Sequence, residues 1–163
     1  MPEDSKKLSF FMMVLGQTMN IHQEILSRLK QRLVLTQASA QENCDVIIAF
    51  VPVVSRVVTD IEAALQKIPR TGKPVVLVVL HFTFDENHIA PVSQRIVNRN
   101  DVLAVDLLCY EDLGLLRSLR NDEALKTITE HLTSIGASPN TQSSVWVLRS
   151  LMAWGRNCYP AWL

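Results

Sequence analysis

At 163 residues and 18.4 kDa, the chain has the length of one domain and can bury a core without disulfides or metal ions. Sixteen basic residues balance sixteen acidic ones, so no overall charge attracts nucleic acid or an anionic membrane. The cysteines Cys44, Cys109 and Cys158 lack the spacing of a zinc site or of a secreted disulfide framework. We therefore expect a soluble, cytoplasmic protein that binds no metal, nucleic acid or membrane.

The first half of the chain predicts strands that alternate with amphipathic helices. Residues 8–15, LSFFMMVL, form an apolar run that ends at Gly16, the pattern of a strand buried on both faces. A helix follows, with apolar residues at four-residue spacing, and Asn20 is placed to cap it. The next elements are a strand or loop at 33–36, a strand at 45–51 and a helix at 60–68.

The second half continues the same alternation. Residues 74–82, PVVLVVLHF, are rich in β-branched side chains and predict a buried strand. The long polar segment 83–101 is expected to be functional or partly helical. It is followed by a predicted strand at 102–108 and by predicted helices at 113–119 and 121–132, the second capped by Asn121.

This alternation predicts an α/β domain over residues 1–136, with three layers in the order α/β/α. We expect a flavodoxin-like or Rossmann-like fold, built on a mainly parallel sheet of four to five strands. Residues 137–163 form a tryptophan-rich tail, which carries all three tryptophans of the chain. The tail predicts a helix that docks on the domain or binds a partner.

In such a sheet, ligands bind at the carboxyl ends of the strands, where the strand order reverses. A small anionic or nucleotide ligand would therefore meet the polar and small residues that end or follow the predicted strands. The candidate binding residues are Gly16, Thr18, Asn20, Ser55, Arg56, His81 and Thr83. By contrast, His22 and His131 belong to helix faces and are expected to face solvent.

The sequence lacks the motifs of the common nucleotide-binding and hydrolytic sites. Gly16 stands alone, so neither GxGxxG nor GxxxxGK[ST] is present, and no bound cofactor is expected. There is no GxSxG nucleophile motif. His81 and His88 lie seven residues apart and lack the i, i+4 spacing of a helical metal site.

The stretch SRVVTDIE at 55–62 has a structural and a functional interpretation. Thr59 to Glu62 match a capping box, in which the threonine hydroxyl and the glutamate carboxylate close a helix start. That box leaves Ser55 and Arg56 unexplained. Arg56 is placed to hold an anionic ligand or to pair with Asp60.

Together with GKPVVLVV, the same stretch is similar in layout to TIR domains and to the nucleoside deoxyribosyltransferase-like group, over about residues 45–80. Both resemblances imply N-glycosidic chemistry on a nucleotide or nucleoside, such as NAD cleavage. Glu62 would then be the nucleophile or would stabilise an oxocarbenium-like centre, with Arg56 and Asp60 assisting.

Three longer blocks, CDVIIAFVPVVSRVVTDIEAAL, GKPVVLVVLHFTFD and VDLLCYEDLGLLRSLRNDEAL, resemble a small, expanded family of fish proteins over about residues 8–132. That resemblance implies a stand-alone domain and carries over no catalytic residue. Our leading hypothesis is therefore a non-enzymatic binding or protein-interaction module in an innate-response setting, with a protein partner or a second copy bound. The alternative hypothesis is the N-glycosidic hydrolase or transferase centred on Glu62.

Overall fold

The computed structural model describes residues 7–85 and 87–140. Within them, six strands and three α-helices follow one another along the chain. They are β1 (Leu8–Val14), α1 (Ile21–Arg32), β2 (Leu35–Gln37), β3 (Val46–Pro52), α2 (Val57–Lys67), β4 (Val75–Phe82), β5 (Val102–Tyr110), β6 (Gly114–Leu115) and α3 (Leu119–Ile135). Two short 3-10 helices, Gln41–Asn43 and Ser93–Arg95, lie in the connections to β3 and β5.

The strands form one sheet in the order β2-β1-β3-β4-β5-β6. The pairs from β2 through β5 are parallel, and β6 pairs antiparallel with the end of β5. The first five strands thus have the 2-1-3-4-5 order of flavodoxin-like domains. The predicted α/β fold with a mainly parallel sheet is confirmed, and the two-residue β6 adds a sixth strand to the expected four or five.

Helices cover the sheet on both faces and make three layers. On one face α1 and α3 pack over alternate residues of the strands, and on the other face α2 and the segment after Ser93–Arg95 pack over the remaining ones. In β4, for example, Val76 and Val78 face α1 and α3, whereas Leu77 and Val79 face α2. Burial on both faces explains why the central strands are continuous apolar runs.

The predicted helix at 113–119 is wrong. Gly114 has a φ of +72°, which turns the chain back along β5 as β6. The predicted cap of the following helix is also wrong, because Ser118 occupies that position and its hydroxyl accepts a hydrogen bond from the Asn121 N–H at 3.1 Å. The Asn121 side chain instead lies buried against the end of β5.

The long connection 83–101 is partly helical, as expected, since it contains the 3-10 helix Ser93–Arg95. It is also anchored to the rest of the domain. Arg99 in this connection is 6% exposed, and its guanidinium donates to the carbonyls of Ile68 and Pro69 at the end of α2, at 3.0 and 3.3 Å. It also forms an ion pair with Asp101 at 2.6 Å. These contacts close the carbonyl end of α2.

The last described residues lie beside the amino ends of the strands. Val34 donates to the Ser138 carbonyl at 2.8 Å, and Asn140 donates to the Arg32 carbonyl at 3.0 Å, just before β2 begins. Most of the predicted tryptophan-rich tail, residues 141–163, lies outside the described residues. In the described part of the chain, no helix has the length and apolar character needed to cross a membrane.

Candidate functional site

The strand order reverses between β1 and β3, so the loops at 15–20 and 53–56 are the first place to look for a ligand site. The first of these loops packs against the end of β3. A Cβ atom at Gly16 would lie 2.8 Å from Cγ of Pro52, and the φ of Gly16 is +143°. Gly16 therefore permits the close approach of its loop to Pro52, the last residue of β3, and this role accounts for the glycine without a ligand.

Thr18 and His22 form a hydrogen-bonded pair below the surface of this region. Thr18 is 2% exposed, and its Oγ1 lies 2.5 Å from His22 Nδ1. The His22 ring packs on Phe50 with the ring centroids 5.8 Å apart, and burial lowers the pKa of His22 below 6.5. The expectation that His22 faces solvent is wrong, because its ring is half-buried. His131 is half-buried as well, and burial lowers its pKa too.

Asn20 precedes α1 as predicted, but its side chain does not cap the helix. Asn20 and its neighbour Met19 both have left-handed backbone, with φ of 63° and 54°. In this conformation the backbone carbonyl of Asn20 accepts from the Gln23 N–H at 3.1 Å, and the amide side chain is exposed. The expected side-chain cap is therefore wrong.

The capping box predicted at Thr59 is also wrong. Helix α2 begins at Val57 with Arg56 in the cap position, so Thr59 already lies within the first turn. The first-turn residue that binds the preceding loop is Asp60. Its carboxylate accepts from the N–H groups of Val54 and Ser55 at 2.7 and 2.9 Å, and from the Ser55 hydroxyl at 3.1 Å.

These contacts change the interpretation of Ser55, Arg56 and Asp60. Burial acts to raise the pKa of Asp60, but the hydrogen bonds from Val54 and Ser55 outweigh it and lower that pKa. Ser55 therefore has a structural role that the sequence did not suggest. The partner of Asp60 is this loop, and Arg56 is exposed.

Glu62, the candidate nucleophile, lies in the middle of α2 and is exposed. A cavity of about 330 Å³ opens elsewhere on the described surface. It is lined by Asn87, His88, Ser118, Leu119, Arg120 and Glu123. This cavity places His88 beside the start of α3 and includes no residue of α2.

His81 belongs to a buried polar network on the face covered by the 83–101 connection. His81 Nε2 lies 2.7 Å from Asp106 Oδ1, and the Asp106 carboxylate accepts from the Ser93 N–H at 3.0 Å and from the Ser93 hydroxyl. Burial acts to raise the pKa of Asp106, but its hydrogen bonds with His81 and Ser93 outweigh it and lower that pKa. Asp106 and Ser93 were missed by sequence reasoning, although a charged residue within a buried strand is a usable signal.

The order of this network does not suit nucleophilic catalysis. In a catalytic triad the histidine lies between the acid and the hydroxyl and removes the hydroxyl proton. Here Asp106 lies between His81 and Ser93, so the carboxylate holds both groups in place. Thr83, the last candidate binding residue, accepts from the Asp85 N–H at 3.1 Å and so stabilises its own loop.

The carboxyl edge of the sheet exposes several large apolar side chains. Val54, Ile89 and Phe84 are 83%, 80% and 78% exposed. We define the apolar edge as the large exposed apolar residues of the described chain, all of which lie at or after strand carboxyl ends or at the adjoining starts of α2 and α3. They are Val14, Met19, Val54, Val58, Phe84, Ile89, Val92, Leu113 and Leu119.

The apolar edge follows the sheet from β1 through β3 and β4 to the β5–β6 turn. Phe84 is held edge-on against Tyr110, with ring centroids 5.8 Å apart. Exposed charges lie between the apolar side chains, among them Arg56, Glu111 and Asp112. An apolar surface with a charged rim is typical of protein interfaces.

Comparisons with known proteins found no match: no family model, no curated protein and no solved structure matches the chain. Among residues 7–85 and 87–140, no group of three or more histidine, cysteine or acidic side chains could hold a metal ion.

Proposed function

We propose that this domain is a non-enzymatic protein-interaction module that binds a protein partner through the apolar edge. The observation that carries the proposal is the placement of the exposed apolar side chains. Most of the large exposed ones of the described chain lie just after strand carboxyl ends or at the starts of α2 and α3, and Val92 lies further along the 83–101 connection. Single exposed apolar residues are normal on a protein, but a set concentrated toward one edge indicates a binding surface.

The polar groups of the same edge support a protein partner over a small anionic ligand. Asp60 is engaged by Ser55, and His81 by Asp106. Thr18 is buried against His22. Because these side chains already have partners within the domain, a small polar ligand would have to displace them, whereas a protein can bury the exposed apolar groups directly.

Large apolar side chains can supply the affinity of such an interface. Burial of one of them is worth roughly 1.5 to 3 kcal/mol, and a few central residues dominate most interfaces. Removal of one good contact therefore weakens binding by about tenfold. Phe84 and Val54 are suitable test positions because each is largely exposed, so its replacement leaves the core intact.

A quantitative co-purification experiment tests the proposal. The tagged full chain is isolated from the cells that produce it, as the wild type, as Val54→Ser, as Phe84→Ser and as the control Lys126→Ser on the exposed side of α3. We expect one or more proteins to be depleted by about tenfold with both edge variants. The same proteins should be recovered in full with Lys126→Ser.

Two results would contradict the proposal. One is that recovery of every associated protein is unchanged by Val54→Ser and Phe84→Ser. The other is turnover of NAD or of a nucleoside by the purified full chain that is lost on Glu62→Gln with the fold intact. That second result would support the N-glycosidic alternative, since Glu62 is exposed and its replacement leaves packing unchanged.

A further inference from the structure

We infer that residues 141–163 of this chain occupy the apolar edge when no partner is bound. The inference rests on the proposed function, because it uses the same surface and adds a competitor for it. The described residues end at Asn140, and the 23 residues that follow are available to cover a surface of the same molecule.

The composition of residues 141–163 suits an apolar surface. The segment contains the tryptophans Trp146, Trp154 and Trp162, together with many other large apolar side chains. The others are Val145, Val147, Leu148, Leu151, Met152, Tyr159 and Leu163. Left in water, so much apolar area is unfavourable, and burial against Phe84 and its neighbours removes that cost.

Charge favours the same placement. The segment carries Arg149 and Arg156 and no acidic residue. The whole chain has 16 basic and 16 acidic residues, so residues 1–140 carry 14 basic and 16 acidic ones and a net charge of −2. Glu111 and Asp112 are exposed next to Leu113 of the apolar edge, where they can pair with the arginines.

The segment is long enough to reach the apolar edge. Asn140 lies beside Arg32, at the end of the sheet where the strands begin. The nine residues of β5 span roughly 30 Å along the strand. The 23 residues after Asn140 extend up to roughly 75 Å, so the segment can cross the domain and still leave several residues in contact with the apolar edge.

Occupation of the apolar edge by this segment would regulate partner binding. A partner would bind only the molecules in which the segment is displaced, so its apparent affinity equals the intrinsic affinity multiplied by the fraction of such molecules. The segment would also shield the exposed apolar side chains from non-specific association.

The tryptophans provide a label-free test, since all three lie in this segment and none lies in the described domain. The experiment measures acrylamide quenching and the emission maximum of the purified full chain, with the urea-unfolded chain as the fully accessible reference. Light scattering at several concentrations verifies that the sample is monomeric. The variants are Phe84→Ser, the double variant Phe84→Ser with Leu113→Ser, and the control Lys126→Ser.

We expect the wild-type tryptophans to be protected from acrylamide and to emit at shorter wavelength than in the unfolded chain. Each serine substitution on the apolar edge should lower the ratio of covered to uncovered molecules by about tenfold, so quenching rises stepwise in the two variants. Lys126→Ser should match the wild type. Circular dichroism of each variant verifies that the fold is retained.

Three results would overturn the inference. Tryptophans as accessible as in the unfolded chain would mean that the segment does not dock. Protection that is unchanged by the edge variants would place the segment elsewhere. Protection that appears only with dimer formation would make the occupant a second copy. None of the three contradicts the proposed function, which the co-purification experiment tests separately.

Discussion

His81 on β4 and Asp106 on β5 form a buried contact of 2.7 Å between Nε2 and Oδ1, and the same carboxylate holds Ser93. Asp106 thereby joins the centre of the sheet to the 83–101 connection, which also carries part of the apolar edge. The network fixes the segment from which Ile89 and Val92 protrude.

Replacement of Asp106 by alanine is expected to destabilise the domain strongly. The change leaves the His81 ring and both Ser93 donors without their acceptor in a buried site, which costs roughly 3 kcal/mol. The measurement is the free energy of unfolding in urea. Glu62→Ala, which removes an exposed carboxylate, is the matched control and should stay within about 0.5 kcal/mol of the wild type.

The free energy of unfolding is expected to decrease in two separate pH ranges as the solution is acidified. His22 and His131 have pKa values below their ordinary 6.5 in the folded state, so the unfolded chain takes up protons first and stability declines from about pH 6.5 downward. Asp60, Asp101 and Asp106 have pKa values below their ordinary 3.8. Their contribution is complete above about pH 4 and is lost as the pH falls through the lowered values.

A pH series of urea unfolding curves checks this prediction. The double variant His22→Gln with His131→Gln should lose most of the first decline and keep the second. An unchanged slope between pH 6.5 and 5 in that variant would show that these two histidines are not its source.

Asn121→Ala should cost more than the loss of an ordinary surface asparagine. The side chain is 1% exposed, accepts from the Leu108 N–H at 2.7 Å, and donates to the carbonyls of Leu108 and Leu116 at 2.7 and 2.8 Å. Loss of three buried hydrogen bonds predicts a decrease of about 3 kcal/mol in the free energy of unfolding. The exposed Asn98→Ala is the control, and equal costs for the two variants would contradict the assignment.

Gly114→Ala is expected to cost more than Gly72→Ala. Both glycines have left-handed backbone, with φ of 72° and 82°. An alanine at either position would therefore be strained by about 1 kcal/mol. At Gly114 the new Cβ would also clash with Glu24 Oε1, which accepts from the Leu115 N–H, whereas nothing lies within 4 Å of a Cβ at Gly72. Displacement of Glu24 from that bond adds about 1 kcal/mol.

A double-mutant cycle isolates the cost of displacing Glu24 from the cost of backbone strain. In a Glu24→Ala background the clash is absent, so Gly114→Ala and Gly72→Ala should cost the same. A persistent difference between them in that background would assign the extra cost to something other than Glu24.

Much of the fold could be predicted from the sequence, because its central strands are buried on both faces and read as long apolar runs. The strands at β1, β3, β4 and β5 were predicted to within two residues at each end. The start of α1 after Asn20 was predicted correctly, but the starts of α2 and α3 were misplaced by two to three residues. Ser, Thr and Asn all favour the cap position, and tertiary contacts decide which of them occupies it. Asn121 binds β5 instead of capping α3, and Asp60 binds the loop before α2.

The candidate site was less predictable than the fold. Sequence reasoning selected polar residues at the strand ends, but several of these are engaged within the domain. Thr18 and Ser55 bind partners four and five positions away, whereas the partner of His81 is Asp106, 25 positions away. The apolar edge was missed because an apolar residue in a loop looks the same in sequence whether it is buried or exposed. Ala90 is buried and its neighbour Ile89 is exposed, a difference that depends on packing of the finished fold.

Site-specific photocrosslinking gives the most direct test of whether the apolar edge binds a protein partner. The photoreactive residue p-benzoylphenylalanine replaces Phe84 in the full chain, or Lys126 as the off-edge control, in the cells that produce the protein. We expect a discrete adduct with a second polypeptide at position 84 and none above background at position 126. The same pattern of adducts at both positions, or no adduct with another polypeptide at position 84, would contradict it.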